Sequence, residues 1–423
     1  MKFAVVGSGI SGLSIATILS QDHEVVLYEK DDRFGGHSNT IEINYKNEII
    51  NVDTGFIVFN KLNYPNLIKF FKYFNVMYED SDMSLSIQHE NLNIEWSGQN
   101  LKSIFSKKTF TKKLSFLYSI IQIPIFNFHI KYLINYKSLN EIRLEDWLKN
   151  KPYTKGFLDL YLLPMAGAIW SMPPKDVMDY PITSLFNFFN NHKLLHGKND
   201  RPKWLTVSNG SIQYVSKVIR FLNANPRVKT YKNTNITEIK RKNNSISVKD
   251  SNKNEIKFDH IIFAINPTKV LEIIKDTDEK EKSILSGFTT NKNTAYLHND
   301  KLLMPSLKEV WSSWNVFIPK KKADYISVTY WMNRLQNINN NKSLFLSLNP
   351  SKLPSEKSVF KIIKYEHPIF DLNSIHSKKL LPKIQGHKNT WYCGAWSGNG
   401  FHEDGINSSV ELANKFGINI LWE

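Results

Sequence analysis

Cysteine is almost absent: Cys393 stands alone. No internal disulfide can form, nor any multi-cysteine zinc or iron–sulfur site, and no metal is expected. A reducing compartment suits such a chain, so a cytoplasmic protein is the default. Long apolar runs are missing too, since none reaches the roughly 18 to 20 residues that span a bilayer. The start runs directly from Phe3–Val6 into glycines, which leaves no stretch for a charged leader with an apolar core and cleavage site. Acidic residues are outnumbered, 39 against 55 basic, for a net charge of +16. No nucleic-acid module accompanies that charge, so no nucleic acid partner is expected. Two readings stay open: a lysine-favouring composition, or attraction to anionic lipid at the inner face of the membrane.

What is present is globular. A hydrophobic fraction of 41% with 13% aromatics can fill a large core, and 423 residues exceed what one core usually serves. Two domains, or one interrupted by another, are expected.

The amino terminus carries the sharpest signal. Phe3–Val6 is continuously apolar, as a parallel strand buried on both faces must be. Gly7, Gly9 and Gly12 follow at once, and Leu13–Leu19 continues as a helix. In a strand–turn–helix the first glycine permits the tight turn, the second lets backbone approach a pyrophosphate, and the third lets helix pack on strand. A second apolar strand, Glu24–Tyr28, ends at Glu29, at the distance where an acidic side chain meets an adenosine ribose. Only one such fingerprint is evident, so bound nicotinamide is not expected.

After Glu29, Arg33, Gly35, Gly36 and Thr40 resemble the continuation found in flavoproteins of the amine oxidase, phytoene desaturase and protoporphyrinogen oxidase group. Asp53-Thr54-Gly55-Phe56 resembles that group's segment leading toward the isoalloxazine. Further on, Asn209-Gly210-Ser211 opens a helix, Ile212–Leu222. Val228–Tyr231, Asn235–Arg241, Ser245–Asp250 and Glu255–Lys257 then alternate like a small antiparallel meander, and Phe258–Ile265 returns as an apolar strand. Thr390–Trp396 reads as a last strand, and Gly400–Gly405 leads into a helix over Ile406–Phe416. That stretch resembles the closing motif in which a helix N-terminus faces the flavin. Asp404 is either a helix cap or a flavin contact, and the two are compatible.

The intervening pieces are aromatic-rich. Phe105–Leu139 mixes apolar residues with Lys107, Lys108, Lys112, Lys113, Lys131 and Lys137, which suits a membrane-facing helix pair and a buried one equally. Tyr161–Ser171, His192, Asp200–Trp204, Thr329–Asn333 and Tyr365–Pro368 are dense in groups able to line a ligand site. Trp170, His192, Arg201, Tyr330 and Trp331 are the substrate candidates among them.

Over nearly its whole length the chain resembles bacterial amine oxidase-like NAD/FAD-binding proteins of the kind encoded beside cyclopropane-fatty-acid-synthase-like methyltransferases. That resemblance implies an α/β fold: a discontinuous Rossmann-like FAD-binding domain (1–85, 205–265 and 385–423) with an inserted α+β substrate domain (86–204 and 266–384). It implies non-covalent FAD held by Gly7, Gly9, Ser11, Gly12, Glu29, Lys30, Arg33, Gly35, Gly36, His37, Thr54, Gly55, Phe56, Ile236, Gly394, Asp404, Gly405 and Ile406. Cys393 is expected as a packed thiol rather than a flavin link. His402 and Glu403 are the candidate bases. Three activities compete: desaturation or oxidation of a lipid acyl chain, oxidation of a small amine, and a redox-neutral flavin isomerisation. The lysine that holds a water near the flavin in amine oxidases has no assignable counterpart.

Overall fold

Strand Lys2–Val6 lies at the centre of a five-stranded sheet because its residues are apolar toward both faces. Phe3 and Val5 enter one core and Ala4 and Val6 another. Each such side chain removed from water contributes roughly 1.5–3 kcal/mol. In this computed structural model, residues 1–110, 113–136, 141–197, 200–242, 245–320, 326–339 and 341–423 are described; Lys112 and Lys137 lie outside them.

The sheet order is Val228–Tyr231, Glu24–Tyr28, Lys2–Val6, His260–Phe263, Thr390–Tyr392, and every neighbouring pair is parallel. Val228–Tyr231 therefore departs from the expected meander. It is the edge strand of the parallel sheet, with Val228 beside Val25 and Tyr231 beside Tyr28; only Val228 is buried, so the alternation is kept while the backbone bonds go to a distant strand. The meander itself is three-stranded, Ile236–Lys242, Ser245–Asp250 and Glu255–Phe258. The last strand stops at Tyr392 instead of running to Trp396, because Gly394 and a 3-10 turn over Ala395–Ser397 break it.

A second, seven-stranded sheet runs Val359–Pro368, Thr290–His298, Phe345–Leu348, Ser327–Trp331, Trp314–Ile318, Leu85–His89, Ile94–Ser97. Its pairs are antiparallel except Trp314–Ile318 with Leu85–His89, where two distant pieces of chain meet. Ala295, Val316, Tyr330 and Leu346 pack from this sheet onto Phe157, Leu160, Phe186 and Phe189 of the helical segment, forming the largest core.

Candidate functional site

The glycine turn sits at the carboxyl end of Lys2–Val6, where open α/β sheets bind ligands. Gly7 has φ +99°, and a Cβ there would stand 2.7 Å from the Ala264 carbonyl oxygen. At Gly12 a Cβ would be 1.8 Å from the Gly7 oxygen, so helix Ile10–Leu19 can close on the turn only through glycine. Gly9 differs: a Cβ there would meet nothing within 4 Å. The helix N-terminus thus opens onto free space, with its unsatisfied N–H groups on that side. Gly36, at φ +57°, lies against it, its Cβ direction 3.1 Å from Gly9 Cα. Arg33 braces this second turn by donating to the Gly36 and Ser38 carbonyls at 2.7 and 3.2 Å. Glu29 is buried and accepts the Ser8 and Asp31 N–H groups, both at 3.0 Å. Lys30 next to it is exposed, and Ile236 is buried at the first residue of the meander.

The opposite wall combines Thr54–Phe56 with the last long helix. A Cβ on Gly55 would fall 2.2 Å from the His37 oxygen, which also accepts the Phe56 N–H at 2.8 Å. The helix spans His402–Lys415, starting four residues before the expected Ile406. Asp404 accounts for the early start: it accepts the Phe401 N–H at 2.9 Å, holding the first turn closed. Burial raises its carboxyl above the ordinary range. Gly405 packs on Ile10 and Ser11, where a Cβ would stand 2.7 and 2.9 Å away, and Ser409 Oγ donates to the Ser11 oxygen at 2.8 Å. Ser11, Gly405 and the fully buried Ile406 therefore join the two helices. Gly394 donates to Ser408 Oγ at 2.9 Å, and Cys393 is wholly buried, its thiol pushed up to about 12.

Of the two candidate bases only His402 faces the site. Its ring stacks 3.7 Å from Phe56, between that segment and the helix N-terminus, and its Nε2 lies 2.9 Å from Ser38 Oγ and 3.4 Å from Tyr214 Oη. Burial lowers it to about 3, so it is neutral. Glu403 turns the other way. Its two oxygens accept the Asn66 and Leu67 N–H groups, each at 2.9 Å, and cap helix Pro65–Tyr73. The carboxylate is spent on a helix end, and burial raises it to about 7.

His37 stacks on Tyr365 and His367, with ring centres 5.2 and 5.4 Å away. It keeps accessible surface, and desolvation together with Arg33 lowers its imidazole to about 4. Tyr365 Oη is 2.7 Å from Thr54 Oγ1 and accepts from Asn39 at 3.0 Å. The spacing of Tyr365 and His367 on either side of charged Glu366 is the sequence signal for this pair, since residues two apart share a sheet face. Lys378 carried no such signal. It donates to the Gly398 oxygen, lies 4.5 Å over the Phe370 ring, and burial lowers it to about 8.

The substrate candidates divide. Trp170 donates to the Asn399 oxygen at 3.3 Å and packs 4.6 Å from Phe188. Phe188 in turn stacks on His192 at 4.0 Å and on Phe401 at 5.1 Å. These four rings form one aromatic wall, with Trp170, Phe188 and His192 buried and Phe401 half-buried, that ends at the residue before His402. Tyr330 and Trp331 cannot both join them, because successive strand residues face opposite sides. Tyr330 is buried against Trp314 at 4.9 Å. Trp331 lines a separate cavity of about 490 Å³ with Asp82 and Arg334. Arg201 is exposed.

Residues 5–74 match the NAD(P)-binding Rossmann-like domain family. No curated protein matches the chain. Solved structures do. A candidate protoporphyrinogen oxidase from Exiguobacterium sp. 255-15 superposes with TM-score 0.70 at 11% identity, covering 98% of each chain. Cyclohexylamine oxidase from Brevibacterium oxydans IH-35A gives 0.67 at 12% identity over 98% of this chain and 99% of that one. The fold is that of the amine oxidase-like flavoproteins. Within this flavoprotein fold a CLA-producing fatty acid isomerase from P. acnes also superposes, with TM-score 0.66 at 14% identity and 98% of each chain covered.

Proposed function

We propose that the chain is an FAD-dependent oxidoreductase that desaturates or oxidises a lipid acyl chain. The cofactor half of this reading rests on the open space at Gly9, faced by a helix N-terminus and by Gly36, with buried Glu29 at the end of the second strand. Those residues fit FAD: backbone amides for the pyrophosphate and a carboxylate for the ribose. When bound, FAD accepts a hydride from substrate and passes the electrons to oxygen or another acceptor.

The substrate half rests on the wall of Trp170, Phe188, His192 and Phe401. It is aromatic, and its only imidazole is lowered by burial to about 4, so it is uncharged. The two carboxylates that follow Phe401 in the chain are engaged, Glu403 by Asn66 and Leu67 and Asp404 by Phe401. An uncharged aromatic wall whose neighbouring carboxylates serve backbone N–H groups favours an apolar chain over an ammonium group. The wall would orient the acyl chain and exclude water. His402, neutral and held at Nε2 by Ser38, would border the acyl chain and orient it, while an imidazole lowered to about 3 is too weak a base to be assigned the departing proton. A second reading, redox-neutral isomerisation of an acyl chain, is favoured by the shared fold of the fatty acid isomerase and uses the same wall.

The test is to record the visible spectrum of the purified protein, then add phospholipids with unsaturated acyl chains without oxygen and analyse the lipids by mass. Bleaching with loss of two hydrogens from the chain supports desaturation. A moved double bond without loss of mass supports the isomerase. A protein purified without flavin, and unable to take it up, would sink both.

A further inference from the structure

Helices Lys113–Ile120 and Gln122–Tyr136 carry large apolar side chains on two faces, with Asn127, His129 and Lys131 half-buried between them. One face is core: Phe116, Phe126 and Ile130 are buried. The other carries Leu114, Tyr118, Ile121, Ile125, Phe128 and Tyr132, with Leu114 at 85% and Phe128 at 75% exposure. The spacing of four and three residues puts these six on one stripe. At 1.5 Å per residue the stripe is roughly 27 Å long. Only Ser115 and Asn135 are polar among its exposed described positions. An exposed apolar band of this length marks an interaction surface.

Charge identifies what covers it. Between Glu95 and Glu141 the sequence holds seven lysines and no acidic residue. Lys102 and Lys107 are exposed at the near end of the stripe, beside exposed Leu101 and Phe105. Lys108 is spent on Glu95 at 2.7 Å. A second copy of the chain would set these lysines against their own kind, whereas anionic phospholipid pairs with them. No helix among the described residues is long and apolar enough to cross a membrane. We propose that this face docks on an anionic lipid bilayer, with the helix pair lying in the interface plane and its six apolar side chains inserted at the headgroup boundary.

The docking face is one helix layer from the candidate site. Phe126, on the buried side, packs 6.0 Å from Phe186 of helix Ile182–Asn191, and that helix carries Phe188 of the aromatic wall. Docking is independent of which substrate the site takes, because binding is read without turnover.

The experiment is flotation of the flavin-loaded protein with vesicles of phosphatidylglycerol or of phosphatidylcholine. Binding to phosphatidylglycerol should exceed binding to phosphatidylcholine by about tenfold or more and weaken with salt. Ile125→Glu with Phe128→Glu should lower it by at least about tenfold, at unchanged melting temperature and flavin content, since both side chains face outward. Lys102→Glu with Lys107→Glu should weaken it about fivefold and flatten the salt dependence. Failure of the parent protein to float with phosphatidylglycerol overturns the proposal. So does equal flotation of the double-glutamate variant. A dimer by light scattering that this variant splits into monomers, with no vesicle binding by the parent, would assign the face to a second copy instead.

Discussion

Ser211 donates its backbone N–H to both oxygens of Asp53 at 2.9 Å and its hydroxyl to Oδ1 at 2.7 Å. The same carboxylate accepts from Thr40 and from Gln336 Nε2 at 3.0 Å. Asp53 thus ties the hairpin over residues 40–53 to the helix Ile212–Ala224 and to Gln336, just after the strand Ser327–Trp331. Asp53→Asn would turn an acceptor into a donor facing Ser211 N–H. A loss of about 1–3 kcal/mol is expected by urea denaturation, with flavin release at lower denaturant than in the parent.

Gly9 and Gly12 have opposite demands. Gly9→Val should fold with nearly the parent melting temperature, because open space receives the side chain, yet it should purify without visible flavin absorbance. Gly12→Ala meets the Gly7 carbonyl and should lower stability by more than about 2 kcal/mol. Equal flavin content in parent and Gly9→Val would contradict the assignment of the turn.

Stability should respond to pH through two opposed sets of groups. Glu403 is raised from 4.5 to about 7 in the fold. Its contribution is full below its unfolded value and lost as pH rises through 7. His402 is lowered from 6.5 to about 3 and His192 to about 4, so their contributions are full above 6.5 and lost as pH falls. Glu403→Gln removes the first set alone. Melting temperature measured from about pH 5 to about pH 7 should climb more steeply with pH in this variant than in the parent. Parallel profiles would show that Glu403 does not titrate in that window.

Arg241 and Glu281 are almost fully buried and meet through two hydrogen bonds, at 2.6 and 2.8 Å. Tyr392 Oη adds a third to the same carboxylate at 3.0 Å, linking the meander to the last strand. Glu281→Ala leaves the guanidinium only Asp276 and Thr390 as partners and should cost about 1–3 kcal/mol, whereas Arg241→Met with Glu281→Leu should recover part of that loss. Thermal melts of the parent and the two variants check both expectations.

How much was legible in advance follows from how local each feature is. The strand, the glycine turn, the helix and Glu29 lie within residues 2–29, and Gly7 and Gly12 are required by atoms that this short segment and the end of its adjacent strand supply, while Gly9 faces open space. The cap on the last helix is equally local, since Asp404 reaches a backbone N–H three residues away. Glu403, one residue earlier, reads in sequence like a group facing the same site. Only the approach of helix Pro65–Tyr73 turns it into a cap, through partners more than 330 positions away.

By itself, then, the sequence determined the nucleotide-binding turn and its chemistry, because steric exclusion and hydrogen bonding act there over a few residues. The tertiary structure alone decided the rest. It joined Trp170, Phe188, His192 and Phe401 into one wall, parted Tyr330 from Trp331, and drew Val228–Tyr231 into the parallel sheet. It also left one apolar face of a helix pair in the open. Each of those outcomes depends on which surface another segment buries, and burial is a property of the assembled chain rather than of any stretch within it.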